Sequence, residues 1–230
     1  MDGSTLSIIV PISHRAEERT ISSLMKVYQS IQSVELIFVT YAARCSKQMM
    51  NNVIWVADDT WQEVYEAHAI GVRYSSREVL LFMDADQSLT AASIQKFLQP
   101  ILQGNADAVL NDMDYEYHKK RPPTPSKIFP QLTNSFIRRS DLNIDTILFL
   151  PYALTKQTVE SIKAETLVNP VHTHVKLIQR GCKIDHRLPI RNVFKLQDHE
   201  SMNSEKIIDY HLRTYAECFD DFRRCGFSDG

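Results

Sequence analysis

The chain has 230 residues, a formal net charge of −2 and 43% hydrophobic residues. This length fits one α/β domain with a substantial core, and the near-neutral charge argues against a dedicated nucleic-acid binder, which normally carries a basic surplus. No apolar run approaches the roughly 18 residues that span a bilayer, and the acidic amino terminus differs from a signal peptide. The four cysteines form no Cys-x-x-Cys pair, so we expect reduced thiols in a cytoplasmic protein.

The first sixty residues alternate between apolar runs and amphipathic segments. Residues 6–11, residues 36–39 and Val53–Ala57 are short apolar runs, and each predicts a buried strand. Residues 17–30 carry apolar side chains at three- and four-residue spacing, which predicts a helix. This alternation predicts an α/β fold with a mostly parallel central sheet flanked by helices.

Residues 79–86, Val-Leu-Leu-Phe-Met-Asp-Ala-Asp, join a predicted strand to two carboxylates. The five apolar residues indicate a strand buried on both faces, and Asp84 and Asp86 follow its end. Two unpaired carboxylates are costly to bury side by side, whereas Mg²⁺ takes one or two carboxylates and fills its other positions with phosphates. The run therefore predicts a metal–diphosphate site where open α/β sheets bind ligands. The alternative is that both acids merely cap the next helix, which begins near Thr90.

The remainder of the chain predicts further helices and short strands. Residues 112–130 contain four prolines, which predict a long loop without regular structure. That loop is either a flap whose basic residues meet phosphate or a solvated excursion. We also expect a strand at residues 108–110, short edge strands at Ile184 and at residues 188–190, and helices at residues 155–162, from Asn169 to Gly181, and from Ser204 onward. Residues 147–150 are an apolar run that ends at Pro151.

Several stretches resemble motifs of family 2 glycosyltransferases. Residues 6–15, Leu-Ser-Ile-Ile-Val-Pro-Ile-Ser-His-Arg, are similar to the opening strand and loop of that family. Residues 66–86 resemble its Ala-Arg-Asn-x-Gly helix and the following strand that ends in Asp-x-Asp, with the family's spacing from Gly71 to Asp84. The resemblance implies a single GT-A domain over residues 1–230. Residues 1–110 would form its nucleotide-sugar half, and residues 111–230 its acceptor half with a final helix.

The resemblance also implies a donor, a cofactor and a set of site residues. The donor is a nucleotide-diphospho-sugar, above all a UDP-sugar, and the cofactor is Mn²⁺ or Mg²⁺. The implied nucleotide-binding residues are Pro11, Ile12, Ser13, Arg15, Thr40, Tyr41, His68, Asp84, Ala85 and Asp86. Among metal ligands, Asp86 is expected to bind directly, and Asp84 to orient the ribose or a metal-bound water. His211 is the expected third ligand, with His199 as the alternative.

The sequence departs from the family pattern at three places. Thr40 and Tyr41 stand where the family's second strand ends in Asp-Asp-Gly-Ser, and His68 stands where the family has Arg. Counting back from Gly181 to the family's catalytic Glu-Asp pair reaches Pro170 and Val171 instead of acids. For the general base, His172 is therefore the positional choice, because a neutral imidazole accepts a proton near pH 7. Glu165 is the alternative.

These features predict a metal-dependent glycosyltransferase that moves a sugar to a hydroxyl of a glycan or a lipid-linked cell-envelope precursor. Family members invert the anomeric centre, and peripheral contact with a membrane is compatible with this function. One alternative is a relative that binds a nucleotide sugar or glycan without transferring it, which the missing acids favour. Another is a nucleotidyltransferase. That class has a Gly-rich loop with Arg and Lys after the first strand, which the segment following Pro11 does not supply.

Overall fold

The computed structural model describes most of the chain: residues 6–13, 18–31, 34–41, 52–85, 87, 89–113, 125–190 and 204–226. The strands are β1 (Leu6–Ile12), β2 (Glu35–Thr40), β3 (Val53–Ala57), β4 (Val79–Phe82), β5 (Ala108–Val109), β6 (Tyr152–Thr155) and β7 (Ile184–Asp185). The helices are α1 (Glu18–Gln29), α2 (Val64–Val72), α3 (Ala91–Leu102), α4 (Pro125–Phe136), α5 (Lys156–Ile162), α6 (Pro170–Gln179) and α7 (Ser204–Gly226). Short 3₁₀ turns occupy Ser140–Leu142 and Ala164–Val168.

The described strands form one sheet in the order β3-β2-β1-β4-β6-β5-β7. β1 pairs in parallel with β2 and β4, β2 pairs in parallel with β3, and β5 pairs in parallel with β7. β6 lies between β4 and β5 and is antiparallel to both. The predicted α/β class and the mostly parallel sheet are therefore confirmed.

Helices cover both faces of the sheet, and alternate residues of each strand face opposite layers. In β1, Ile8 and Val10 join the apolar cluster that contains α1 and α3. Ile9 points the other way, into the cluster that contains Trp61, Tyr65 and the helices α5 and α6. This two-sided burial explains why these strands are continuous apolar runs. No helix in the described part of the chain is both long and apolar enough to cross a membrane.

The helix ends follow the capping residues that the sequence supplies. The Thr90 hydroxyl accepts a hydrogen bond from the Ser93 N–H at 3.1 Å and caps α3. Asn169 caps α6 by accepting from the N–H groups of Val171 and His172. Gly181 follows α6 with a φ of +70°, a conformation that glycine adopts without strain.

The prediction that residues 112–130 contain no regular structure is wrong in its final part. α4 begins at Pro125, where the missing N–H costs nothing because the first turn of a helix has no partner for it. Pro130 lies inside α4 and removes one backbone hydrogen bond, but it is buried and the helix packs against α7. The tertiary contacts therefore override the local cost of proline.

The apolar run at residues 147–150 forms turns and bends, and strand β6 begins after Pro151, whose peptide bond to Leu150 is cis. These four residues are buried all the same, which accounts for their apolar character. The edge strand expected at Ile184 is confirmed as β7. The one expected at residues 188–190 is wrong, because β7 ends at Asp185 and these residues are irregular and only partly buried.

Gly71 sets the distance between α2 and the sheet. A Cβ atom at this position would lie 2.4 Å from Cγ2 of Ile9 and 3.2 Å from Cγ2 of Val39. Real Cβ atoms do not approach carbon this closely, so only glycine allows α2 to pack directly on β1 and β2. The glycine that resembles the family's motif is thus explained by packing.

We predict that Gly71→Ala destabilises the fold by about 1–3 kcal/mol, because the added methyl overfills a packed interior. Urea unfolding of the variant measures the change. Gly71→Ala in an Ile9→Ala background is the matched control, since the clashing methyl is absent there. The double variant is expected to be more stable than the sum of the two single changes implies. Simple additivity of the two changes would contradict this account of Gly71.

Candidate active site

Six described strands run parallel to one another, so their carboxyl ends meet at one edge of the sheet. Ser13 follows β1 at this edge, Tyr41 follows β2, and Asp84 comes two residues after β4. His186 follows β7 at the same edge. Ligands of open α/β sheets bind at this edge, so these residues define the candidate active site.

The turn after β4 holds Asp84 in a defined position. The Met83 N–H donates to the Ile9 carbonyl at 3.2 Å, which extends the β1–β4 ladder up to the turn. The Asp84 N–H donates to Oε1 of the buried Gln87 at 3.1 Å, and the Ala85 N–H donates to the Asp84 carboxylate at 2.7 Å. Asp84 itself is half-buried. Because Thr90 caps α3, the interpretation of Asp84 as a cap for that helix is wrong.

Asp86, the expected direct metal ligand, and Arg15 lie outside the described residues, as does His199. Pro11 and Ile12 are buried residues of β1, and Ser13 is exposed just beyond it. Their predicted contacts with the nucleotide therefore rest on their place at the end of β1.

His68 lies at the centre of a buried aromatic cluster. Its ring contacts Tyr65, Phe82 and Tyr152 edge-on, with centroids 5.2–6.0 Å apart. Nε2 is 3.2 Å from the Met83 carbonyl, and Nδ1 is 3.5 Å from the Tyr152 hydroxyl. Burial lowers the pKa of His68 to about 4, so the ring is neutral and Nε2 donates to Met83. In this arrangement His68 anchors the residue before Asp84, and its nucleotide contact stays a prediction.

The end of β2 carries an aromatic pair. The Tyr41 ring stacks on Trp61 with a centroid distance of 4.7 Å, and its hydroxyl donates to the Trp61 carbonyl at 3.2 Å. Thr40 is buried, and its hydroxyl is 3.5 Å from the Ile12 carbonyl. Tyr41 is only half-buried, so part of its surface remains accessible at the end of β2, and its contact with the nucleotide stays a prediction.

His211, the expected third metal ligand, is a residue of α7, and its side chain faces α4. Its Nδ1 is 2.8 Å from the Thr133 hydroxyl, and its ring contacts Phe129 and Tyr215. The side chain is 1% exposed, and Nε2 is buried without a partner. No described group of three His, Cys, Asp or Glu side chains is arranged to hold a metal. A metal role for His211 stays a prediction.

The predicted bases His172 and Glu165 line a common cavity of about 390 Å³. The cavity lies between the amino ends of α2 and α6 and the helix α7. Its charged lining comprises Glu63, Glu66, Glu165, Asp209, Glu217, Arg213 and His172. His172 Nδ1 is 3.2 Å from Glu217, and Arg213 pairs with Asp209 at 2.9 Å. The carboxylate surplus disfavours a diphosphate in this cavity.

A second polar cluster at the sheet edge was not predicted from the sequence. The Asp145 side chain is fully buried, and its two oxygens accept from the Met113 N–H at 2.8 Å and from His186 Nδ1 at 2.9 Å. Asn111 fixes the same region, because its side chain accepts from the Ile190 N–H at 2.9 Å. The only signal in the sequence is that His186 directly follows a short strand.

Comparisons with known proteins agree with this geometry. Residues 51–161, just under half of the chain, match the model of glycosyl transferase family 2. Glucosyl-3-phosphoglycerate synthase from Mycobacterium tuberculosis, in complex with Mn²⁺, UDP-glucose and phosphoglyceric acid, superposes with a TM-score of 0.63 at 17% identity. The match covers 99% of this chain and 82% of that one. The same enzyme with Mg²⁺ and UDP gives a TM-score of 0.61 at 16% identity over 92% of this chain and 79% of that one. Among curated proteins, none matches this chain.

Residues 51–161 are thus similar to family 2 glycosyltransferases, and the described strands and helices have the GT-A fold of these structures. The matched segment and the fold together indicate a glycosyltransferase by class. The matched segment runs from β3 through β4 to α5 and so includes the turn that carries Asp84.

The buried histidines predict a pH-dependent stability. Burial lowers the pKa of His68 to about 4, of His174 to about 3 and of His211 to about 4, against about 6.5 in an unfolded chain. As the pH falls, these histidines are therefore protonated at a higher pH in the unfolded chain than in the folded chain. The free energy of unfolding should decrease from pH 6.5 to pH 4, by up to about 1.4 kcal/mol per pH unit for each histidine.

The variant His68→Phe isolates one of these contributions, because phenylalanine fills the aromatic cluster but does not titrate. Urea unfolding at several pH values between 4.5 and 7 measures the dependence. We expect a shallower decrease in the variant than in the parent chain. Identical pH slopes for the two proteins would contradict the assignment of a buried neutral imidazole.

Proposed function

We propose that this protein transfers a sugar from a UDP-linked donor to an acceptor hydroxyl, with Mn²⁺ or Mg²⁺ as cofactor. The observation that carries the proposal is the Asp84 carboxylate, held half-buried at the end of the central strand β4. Its position in a family 2 segment supports a donor site here, and so does the presence of UDP with Mn²⁺ or Mg²⁺ in similar structures.

The donor chemistry of this turn suits a hard divalent cation. Mg²⁺ and Mn²⁺ prefer carboxylate oxygens, and such a cation needs only one or two protein carboxylates when a diphosphate supplies further ligands. Asp84 provides one carboxylate, and Asp86 is the second in the sequence. When bound, the cation stabilises the negative charge that develops on the leaving diphosphate.

The chain's own residues then have separate tasks. We assign donor binding to the half of the chain before residue 110, with the uracil next to the exposed side of Tyr41 and the diphosphate near Ser13. Residues 111–230 form the acceptor half. This division stays a proposal, as do the cytoplasmic location and the lack of nucleic-acid partners predicted from the sequence.

The acceptor is proposed to be a hydroxyl of a glycan or of a lipid-linked cell-envelope precursor. Direct displacement at the anomeric carbon, with inversion, follows from the family resemblance and requires a base for the acceptor proton. His172 and Glu165 are the positional candidates for that base. Their cavity lies at the correct edge of the sheet, although its acidic lining disfavours close approach of the donor's diphosphate.

A second candidate function is binding without transfer. It is favoured by two departures from the family pattern, the absence of an acid at Thr40–Tyr41 and at Pro170–Val171. A panel of UDP-sugars with Mn²⁺ and detection of released UDP separates the two functions. Turnover with at least one sugar supports the transferase. Thermal stabilisation by UDP and Mn²⁺ without any UDP release supports the binding protein.

We predict that Asp84→Asn and Asp86→Ala each weaken Mn²⁺-dependent UDP binding at least about tenfold. A neutral side chain is a poorer ligand for a hard cation, and even indirect partners of metal ligands contribute 10–100-fold to affinity. Isothermal titration with UDP, with and without Mn²⁺, measures the effect.

Asp58→Asn is the matched control for these variants. Asp58 lies at the same edge of the sheet, after β3, but its carboxylate accepts hydrogen bonds from Thr60 within its own turn. The control is expected to bind UDP like the parent chain. Full UDP affinity in Asp84→Asn and Asp86→Ala, with the fold intact by urea unfolding, would remove the basis for a metal–diphosphate site.

A further inference from the structure

We infer that His186, oriented by the buried carboxylate of Asp145, is the general base that deprotonates the acceptor. This inference rests on the proposed transferase function and gives the base a position outside the cavity of His172 and Glu165. It starts from the pairing of His186 Nδ1 with Asp145 Oδ2 at 2.9 Å.

The pair has the geometry of an oriented imidazole base. The Asp145 side chain is fully buried and also accepts from the Met113 N–H, so it cannot rotate away from His186. An N–H···carboxylate bond at Nδ1 leaves the lone pair on Nε2, the tautomer that a base requires. His186 is 24% exposed at its side chain, and in the described part of the chain no group pairs with Nε2. The reactive nitrogen is thus available to an incoming hydroxyl.

Three chain segments meet in this cluster. Met113 lies four residues after β5, Asp145 comes from the turn after Ser140–Leu142, and His186 directly follows β7. Asn111 joins the cluster to its surroundings by accepting from the Ile190 N–H and donating to the Leu150 carbonyl at 3.4 Å. Fixed partners of this kind are what a positioned base needs.

The location also suits a base for direct displacement. β7 is three strands from β4, and at about 4.8 Å per strand His186 stands about 14 Å along the edge from Asp84. In an inverting displacement the base must lie beyond the sugar, on the side opposite the leaving diphosphate. If the diphosphate binds at Asp84 and the base is at the end of β7, the donor sugar and the acceptor occupy the space between them.

The charges around His186 favour its protonated form once the proton has been accepted. The hydrogen bond to Asp145 raises the pKa of His186, and the carboxylates of Asp141 and Asp112 act in the same direction. Burial acts in the opposite direction. Arg187 is beside it in the chain, but its guanidinium pairs with Asp185. The neighbouring acids therefore make His186 a stronger base than a free imidazole.

The proposed step balances as follows. The acceptor O–H gives its proton to Nε2, and the oxygen electron pair forms the new bond to the anomeric carbon. The bond from that carbon to the β-phosphate oxygen breaks, and its electron pair leaves on UDP. Nδ1 keeps its proton, which stays hydrogen-bonded to Asp145. In the absence of a known acceptor, water takes the acceptor's place and the products are free sugar and UDP.

The test is UDP release from a UDP-sugar that the parent chain turns over, with Mn²⁺ and with water as the acceptor, measured as kcat from pH 5.5 to 9. We predict that His186→Gln lowers kcat by about 10²–10⁴-fold and removes the rise of kcat with pH. Asp145→Asn is expected to lower kcat less and to shift that rise to lower pH, because it removes the carboxylate that raises the pKa of His186. His172→Gln separates the two candidate positions for the base, because a base at His172 would make this variant, and not His186→Gln, lose the rise of kcat with pH.

Two further measurements separate catalysis from structure. His186→Ala should regain part of its rate when free imidazole is added, an effect that a purely structural histidine does not show. Both His186 variants should bind UDP with Mn²⁺ like the parent chain, because the donor site is elsewhere. A parental kcat and pH profile in His186→Gln, or a lost pH dependence in His172→Gln, would overturn the assignment of His186 as the base. Either result would leave the proposed transferase function unaffected. No UDP release by the parent chain with any sugar would overturn the transferase function and this inference with it.

Discussion

The site depends on the parallel pairing of β1 with β2 and β4. The ladder joins Ile9 to Phe82, and the Met83 N–H extends it by one further bond to the Ile9 carbonyl. This last bond fixes the position along the strand direction at which the chain leaves β4, and Asp84 is the next residue. Since β1 and β4 end side by side, Ser13 and Asp84 are presented at the same edge. The position of the carboxylate is therefore set by backbone hydrogen bonds in the core.

Helix α2 reinforces this arrangement from one face of the sheet. Gly71 allows the helix to lie against Ile9 and Val39, and His68 then reaches the Met83 carbonyl within the aromatic cluster. The family's arginine at the position of His68 would bring a charge into this fully buried place. A neutral histidine satisfies the carbonyl at the end of β4 without that cost. The departure from the family pattern thus has a packing explanation that leaves the Asp84 turn intact.

The sequence predicted the sheet well where strands are buried on both faces. Val53–Ala57 has the predicted bounds, because such strands are continuous apolar runs bounded by polar residues. Prediction failed where tertiary contacts outweigh local preference, as in α4 with Pro130 inside it, and where a short apolar segment lies outside the sheet, as at residues 188–190.

The same distinction applies to the candidate site. Asp84 is visible in the sequence because a carboxylate directly after an apolar run is unusual. The pair of Asp145 and His186 is not visible, since its members are 41 residues apart and meet only through the strand order β6-β5-β7. Residues that act through such non-local contacts can be identified only from the structure.

The antiparallel strand β6 explains how two polar clusters share one edge without merging. It lies between β4 and β5, and its first residue, Tyr152, pairs with Phe82 at the edge that carries Asp84. The chain therefore arrives at this edge just before β6, which brings Asp145 and the cis peptide bond at Pro151 there. β5 and β7 are displaced by one strand as a result, and the acids of the two clusters are kept apart. If Asp145 stood directly beside Asp84, the two carboxylates would repel each other and compete for one cation. The inserted strand thus separates a carboxylate that suits a metal from one that orients an imidazole.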